Sequence, residues 1–165
     1  MTSILPRSLA ASALALTLAL CAASQAAAAP ALTPERWREL ERVQSAVYAM
    51  PNRTDSERLG ALDLWQPADS RSGGDCEDHA LAARQRLLAL GWPPSALRIA
   101  MGWTEQGDYH AVLTIDVATA KGGVETYVLD NRFARVEAWH TLSRYGYRWD
   151  RRQEGNGPGW VAIAS

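Results

Sequence analysis

The sequence predicts an α+β fold. Two observations carry this: segments with helical apolar spacing come first, and segments rich in Val, Ile, Thr and Tyr come later. A third is the absence of any internal repeat or low-complexity linker, so the 165 residues read as one domain behind a leader. With 47% hydrophobic and 21% charged residues, the chain can bury a core and is neither mainly disordered nor collagen-like. A formal net charge of −1 leaves no basic footprint, which argues against nucleic acid as a partner. Seven tryptophans against one phenylalanine suit half-buried surfaces, a ligand groove or a Trp-rich core.

The leader is residues 1–29. Arg7 gives a positive start, an apolar run follows, and Ser24-Gln25-Ala26 and Ala27-Ala28-Ala29 offer small-residue cleavage sites. This is the layout of a secretory signal peptide, and the run is short for a bilayer span. A retained membrane anchor is the alternative, and Leu20 before Cys21 argues against a lipid anchor. The expectation is a periplasmic or secreted domain over residues 30–165, acting as a monomer.

Each element then has its own signal. Thr33-Pro34 opens a helix with a capping residue and a first-turn proline. Trp37, Leu40, Val43 and Val47 form its apolar stripe, and Pro51-Asn52 ends it. Residues 52–74 read as loop, with one helical turn around Glu57–Leu62. A second helix runs from Cys76 to Leu90, with Ala80, Ala83, Leu87 and Leu90 on the face of Cys76; Gly91 and Pro93-Pro94 stop it. Leu97–Trp103, Ala111–Val117 and Glu125–Leu129 read as antiparallel strands, with turns at Gln106-Gly107-Asp108 and Lys121-Gly122-Gly123. The tail Tyr145–Ile163 reads as one or two further strands around a Gly155–Gly159 loop.

Once Cys21 leaves with the signal, Cys76 is the only cysteine and cannot form an internal disulfide. It follows Gly73-Gly74-Asp75 at the start of the second helix, where Gly74 is expected to let a substrate backbone come close. Free backbone N–H groups and the helix dipole there favour a thiolate and can hold an oxyanion. The expected thiol pKa is therefore below the ordinary ~8.5. A buried small hydrophobe is the bland reading of Cys76, but it needs none of these features. A thiol needs a base, and the histidines are His79, His110 and His140. His79 lies alongside Cys76 on the helix. His110 begins a strand in His110-Ala111-Val112-Leu113. Asp130 ends the next strand in Val128-Leu129-Asp130-Asn131, and antiparallel pairing brings the start of one strand beside the end of the other. Connectivity thus permits a Cys76–His110–Asp130 set, in which Asp130 orients the imidazole. The bland alternatives are a strand-end histidine and an Asp-Asn turn. His140, after Trp139, reads as a loop residue on the surface.

Three acids crowd the nucleophile: Asp75, Glu77 and Asp78. They suit a helix cap and first turn. Calcium is the functional alternative, as a hard cation that takes several oxygens and would neutralise the cluster. Cys76 with His79 makes only half of a zinc site, and no second half is apparent.

At these residues the chain resembles the bacterial transglutaminase-like cysteine proteinases, a group that includes a periplasmic protease releasing large biofilm adhesins. Gly-Asp-Cys-Glu-Asp, His-Ala-Val-Leu and Leu-Asp-Asn, in that order, carry the resemblance, with Asn52-Arg53, Asp63-Leu64-Trp65, Gly91-Trp92-Pro93 and Arg152-Gln153. It implies a papain/transglutaminase-like fold with Cys76 as nucleophile, His110 as base and Asp130 as orienting acid. In the adhesin-protease branch the acids flanking the cysteine are associated with calcium, here Asp75, Glu77 and Asp78. Trp65 matches a family tryptophan, read either as lining the substrate groove or as packing under the active-site loop. The resemblance further implies a protein or peptide substrate such as a cell-surface adhesin, and admits an inner-membrane regulator. The short chain resembles a compact subgroup. The readings beside thiol peptidase are acyl transfer to an amine, cell-wall peptide hydrolysis and a non-catalytic periplasmic peptide-binding module.

Overall fold

The computed structural model describes residues 29–60, 62–155 and 157–164. The expected signal segment lies outside the described residues except for Ala29. Among the described residues, no helix is long and apolar enough to cross a membrane.

Among the described residues, four helices and six strands follow one another. Helix α1 is Pro34–Tyr48, α2 is Asp55–Leu59 and α3 is Cys76–Ala89. A 3-10 turn at Pro94–Ala96 leads into β1, Leu97–Trp103, then β2, Tyr109–Ala118, and β3, Val124–Leu129. Strand β4 is Glu137–Ala138, α4 is Trp139–Tyr145, β5 is Arg148–Gln153 and β6 is Trp160–Ala162. The strands form one antiparallel sheet in the order β4-β3-β2-β1-β5-β6. The α+β expectation is met.

Strand β2 sits mid-sheet and is buried on both faces. Ala111, Leu113, Ile115 and Val117 join the larger core with Leu40, Val43 and Val47 of α1 and Ala80, Ala83 and Leu87 of α3. The alanines of α3 let its backbone lie close to the sheet. On the opposite face Val112 packs with Ala100, Val128, Leu142 and Tyr147. Trp92 locks the two long helices, its indole N–H donating to Glu39 Oε2 at 2.8 Å. Gly91, at φ +81°, turns the chain out of α3, and the Trp92 amide returns to the Leu87 carbonyl at 3.1 Å.

Several elements differ from expectation. The turn expected around Glu57–Leu62 forms earlier, as α2, where Glu57 accepts from the Thr54 amide at 2.9 Å in a capping box. Leu90, expected on the buried face, is 46% exposed because the helix ends at Ala89. The segment Trp139–Tyr145 is a short helix rather than loop, and it carries His140 on the surface beside Glu125 at 3.0 Å. The tail supplies two strands, and β5 pairs with β1 on the side away from β2.

Candidate active site

The approach to Cys76 is set by two glycines. Gly73 has φ +72°, and a Cβ there would lie 2.0 Å from the Pro51 carbonyl oxygen. A Cβ on Gly74 would lie 2.5 Å from Cβ of Asp78. Gly74 was expected to admit a substrate backbone; its missing side chain instead admits the protein's own Asp78 and Ala68. Backbone bonds from Gly74 N to Pro51 O (3.2 Å) and from Arg53 N to Gly74 O (2.9 Å) pin residues 51–53 beside the loop. Cys76 is then the first residue of α3, with Asp75 as N-cap.

Strand pairing brings the other two candidates together. Leu113 pairs with Leu129, so His110 lies three residues back along β2 and Asp130 one residue past β3. His110 Nε2 is 2.8 Å from Asp130 Oδ1, and the pair is buried. With Nε2 engaged, Nδ1 is the ring nitrogen free to take a proton. Asp130 Oδ1 also accepts from the Arg132 amide at 2.9 Å, and Oδ2 accepts from the Tyr147 hydroxyl at 2.7 Å. Burial opposes ionisation of Asp130, but His110, the Arg132 amide and Tyr147 outweigh it and hold the carboxyl below its ordinary range. Gln44 of α1, fully buried, donates to the Asp130 carbonyl at 2.8 Å and accepts from the Asp130 amide at 3.2 Å.

Cys76 meets His110 across a cleft of about 470 Å³, bordered by Asn52, Thr54, Asp75, Thr104, Asp108, Tyr109, Asn131 and Arg132. The Ala111 amide, next to His110, favours the charged form of the sulfur. The thiol lies 3.4 Å from Glu77 Oε2. Burial pushes its pKa up to about 12, and Glu77 and Asp75 add to the rise against the Ala111 amide. The expectation of a lowered thiol pKa therefore does not hold with these carboxylates uncompensated, because like charge and desolvation outweigh the helix terminus.

The acids divide into two groups. Asp75 and Glu77 lie with Asp55, one oxygen of each within 4.8 Å of the others. Asp75 Oδ2 accepts from the Asp55 amide at 3.2 Å, while Asp75 Oδ1 is buried without a hydrogen-bond partner among the described residues. Burial and the neighbouring Asp75 carboxyl push Glu77 up to about 8. Asp78, expected in the same trio, is turned away: Oδ2 pairs with Arg58 and Oδ1 accepts from the Gln66 amide at 2.9 Å. Asp55 takes its place in the cluster. Nothing in the sequence marked Asp55 beyond its position in the Thr54 capping box, since it lies 20 residues before Asp75.

His79 spends Nδ1 on the Asp75 carbonyl at 2.7 Å and does not border the cleft. Trp65 is 44% exposed and packs edge-on against Trp160 at 6.2 Å, outside the residues bordering the cleft. Tyr147 and Gln44 were not singled out from sequence, since each is an isolated residue inside an unremarkable segment.

A family model described as bacterial transglutaminase-like cysteine proteinase BTLCP matches residues 17–165. A search of curated proteins returned no match. Among solved structures, calcium-bound LapG of Legionella pneumophila is 25% identical, with 80% of this chain and 71% of that chain covered and a TM-score of 0.61. The EGTA-treated form of LapG is 24% identical, with 82% and 70% covered and a TM-score of 0.61.

Proposed function

The chain belongs to the bacterial transglutaminase-like cysteine proteinases, and from that premise we propose that it is an exported, calcium-dependent peptidase acting through Cys76, His110 and Asp130. The observation that carries the reading is His110 Nε2 at 2.8 Å from Asp130 Oδ1, at the edge of the cleft that holds Cys76.

The geometry suits acyl transfer. The Cys76 proton passes to His110 Nδ1, and the thiolate attacks the peptide carbonyl carbon. Backbone N–H groups at the head of α3 hold the oxyanion. The imidazolium returns its proton to the departing amine as the C–N bond breaks and leaves a thioester. His110 then takes a proton from water, hydroxide adds to the thioester, and the thiol is released. Asp130 orients the ring throughout and balances the imidazolium charge.

The acidic cluster fits a calcium ion: three carboxylates converge, one buried oxygen has no partner, and hard oxygen donors are what calcium takes. Asp55, Asp75 and Glu77 would hold it, and a bound cation would offset the charge that opposes ionisation of Cys76. Existence of calcium-bound and EGTA-treated LapG supports this assignment. The leader at residues 1–29 supports export to the periplasm or beyond, and the family resemblance supports a protein substrate such as a cell-surface adhesin.

The test uses p-nitrophenyl acetate with excess calcium. The expected result is a burst of one acetyl per chain, located on Cys76 by mass spectrometry and absent in Cys76→Ala. EGTA should suppress it. Acetylation elsewhere would remove Cys76 from the mechanism, and an undiminished burst in EGTA would remove calcium. For export, protein recovered from the periplasm should begin near Ala27 or Pro30; an intact N-terminus there would overturn the leader assignment.

A further inference from the structure

We propose that Tyr147 is a positioning residue of this site, holding Asp130 in the orientation that keeps His110 aligned through its phenol hydrogen bond to Asp130 Oδ2. The inference rests on the assignment of Cys76, His110 and Asp130 given above.

The direction of each bond follows from the chemistry of its partners. The Tyr147 hydroxyl lies 2.7 Å from Asp130 Oδ2 and 2.7 Å from Arg132 Nη1. A carboxylate only accepts and a guanidinium only donates, so the phenol proton must point to Asp130 while the phenol oxygen accepts from Arg132. Arg132 is itself fixed by Glu105, with contacts of 3.0 and 2.6 Å. The chain Glu105–Arg132–Tyr147–Asp130–His110 is therefore oriented from end to end. Burial, followed by the charge of Asp130, raises the Tyr147 pKa, so the phenol keeps its proton across the working range.

The fold invests structure in this placement. Tyr147 follows α4 directly, its amide donating to the Leu142 carbonyl at 3.0 Å. Gly146, at φ +121°, makes the turn and runs close to Glu105, where an added Cβ would lie 3.0 Å from Glu105 Cβ. The ring is 4% exposed, packs on Phe133 and Trp149, and stands edge-on to His110 at 6.5 Å. Without the phenol, Asp130 Oδ2 would keep a buried charge and lose its only side-chain donor among the described residues, and the carboxylate would be free to turn about its terminal torsion.

The two halves of ester turnover separate this role from mere packing. Acylation by p-nitrophenyl acetate expels a good leaving group that needs no proton from His110, so the burst reaches completion even where base catalysis is weakened. Deacylation requires an aligned His110 to take a proton from water. Tyr147→Phe keeps the ring and removes only the hydroxyl. The expected result with excess calcium is a full burst, a melting temperature lowered by a few degrees with the folding transition intact, and deacylation slower by about tenfold. Tyr145→Phe, the same change on an exposed neighbour, should match wild type. Wild-type deacylation in Tyr147→Phe would overturn the inference, and so would joint loss of burst and melting temperature, which would mark the hydroxyl as structural. A burst that persists in Cys76→Ala would instead overturn the underlying site assignment.

Discussion

Asp75 and Asp78 flank the same helix start, yet their surroundings give them different work. Asp78 is fully buried and shares Arg58 with Asp55, so removing its charge takes one of two carboxylate partners from a largely buried guanidinium. Asp75 has one oxygen with no partner among the described residues and faces Asp55 and Glu77. Asp75→Asn should therefore abolish the rise in melting temperature on adding calcium while leaving the calcium-free protein folded. Asp78→Asn should lower stability by about 2 kcal/mol with or without calcium, and the calcium increment should survive. Thermal melts of both variants, each with calcium and with EGTA, read this directly. If Asp78→Asn erased the increment and Asp75→Asn kept it, Asp78 would be the ligand and the assignment of Asp75 would be lost.

At the scale of elements, the sheet is laced together on one face by Asp116 of β2. It pairs with Arg98 of β1, accepts from Arg152 of β5 at 2.8 Å and accepts from Thr126 of β3 at 2.7 Å, so four strands meet at one carboxylate. Arg152 also donates to Thr114 at 2.7 Å and lies over the Trp139 ring at 5.8 Å. Burial opposes the Asp116 charge, but Arg152, Thr126 and Arg98 outweigh it and hold the carboxyl below its ordinary range. A depressed folded pKa contributes stability above the unfolded value of about 3.9, and that contribution is lost as pH falls through the folded pKa. Asp116→Asn should thus cost about 1–3 kcal/mol at pH 7, and the gap to wild type should narrow as the pH drops below about 3.9. Urea unfolding across that range checks it; a constant gap would mean that the charge does not matter.

For the whole molecule, the site joins the two layers. Cys76 comes from a helix on one face of the sheet, His110 and Asp130 from strands, and Tyr147 from the chain leaving α4 on the other face. Gln44 ties α1 to the Asp130 loop by bonds to the Asp130 carbonyl and amide and to the Phe133 carbonyl. Gln44→Ala should lower global stability by about 2–3 kcal/mol, because it leaves buried backbone groups unmet, and should slow deacylation by loosening Asp130. Calcium at the proposed site would act on the same scale. An ion that binds only the folded chain stabilises it by about 2.7 kcal/mol at a concentration 100 times its Kd. Calorimetry with calcium and with EGTA should show that difference, and coincident melts would exclude the ion.

The α+β class, α1, α3, the first three strands and the candidates Cys76, His110 and Asp130 were legible in the sequence because each rests on local order: helical spacing, strand alternation, capping and turn residues, or a short ordered motif. The helix α4 was not legible, since seven residues are too few to show a period and Leu142 is held by packing across the sheet. Nor were Asp55, Gln44, Tyr147 and the Arg58 partner of Asp78, which reach their neighbours over separations of 17 to 86 residues. Which carboxylate faces a neighbour and which is paired depends on those long-range approaches. Sequence by itself determined the longer elements and most of the chemical groups near the thiol; tertiary structure alone decided which groups meet, because a hydrogen bond depends on distance in space and leaves no period along the chain.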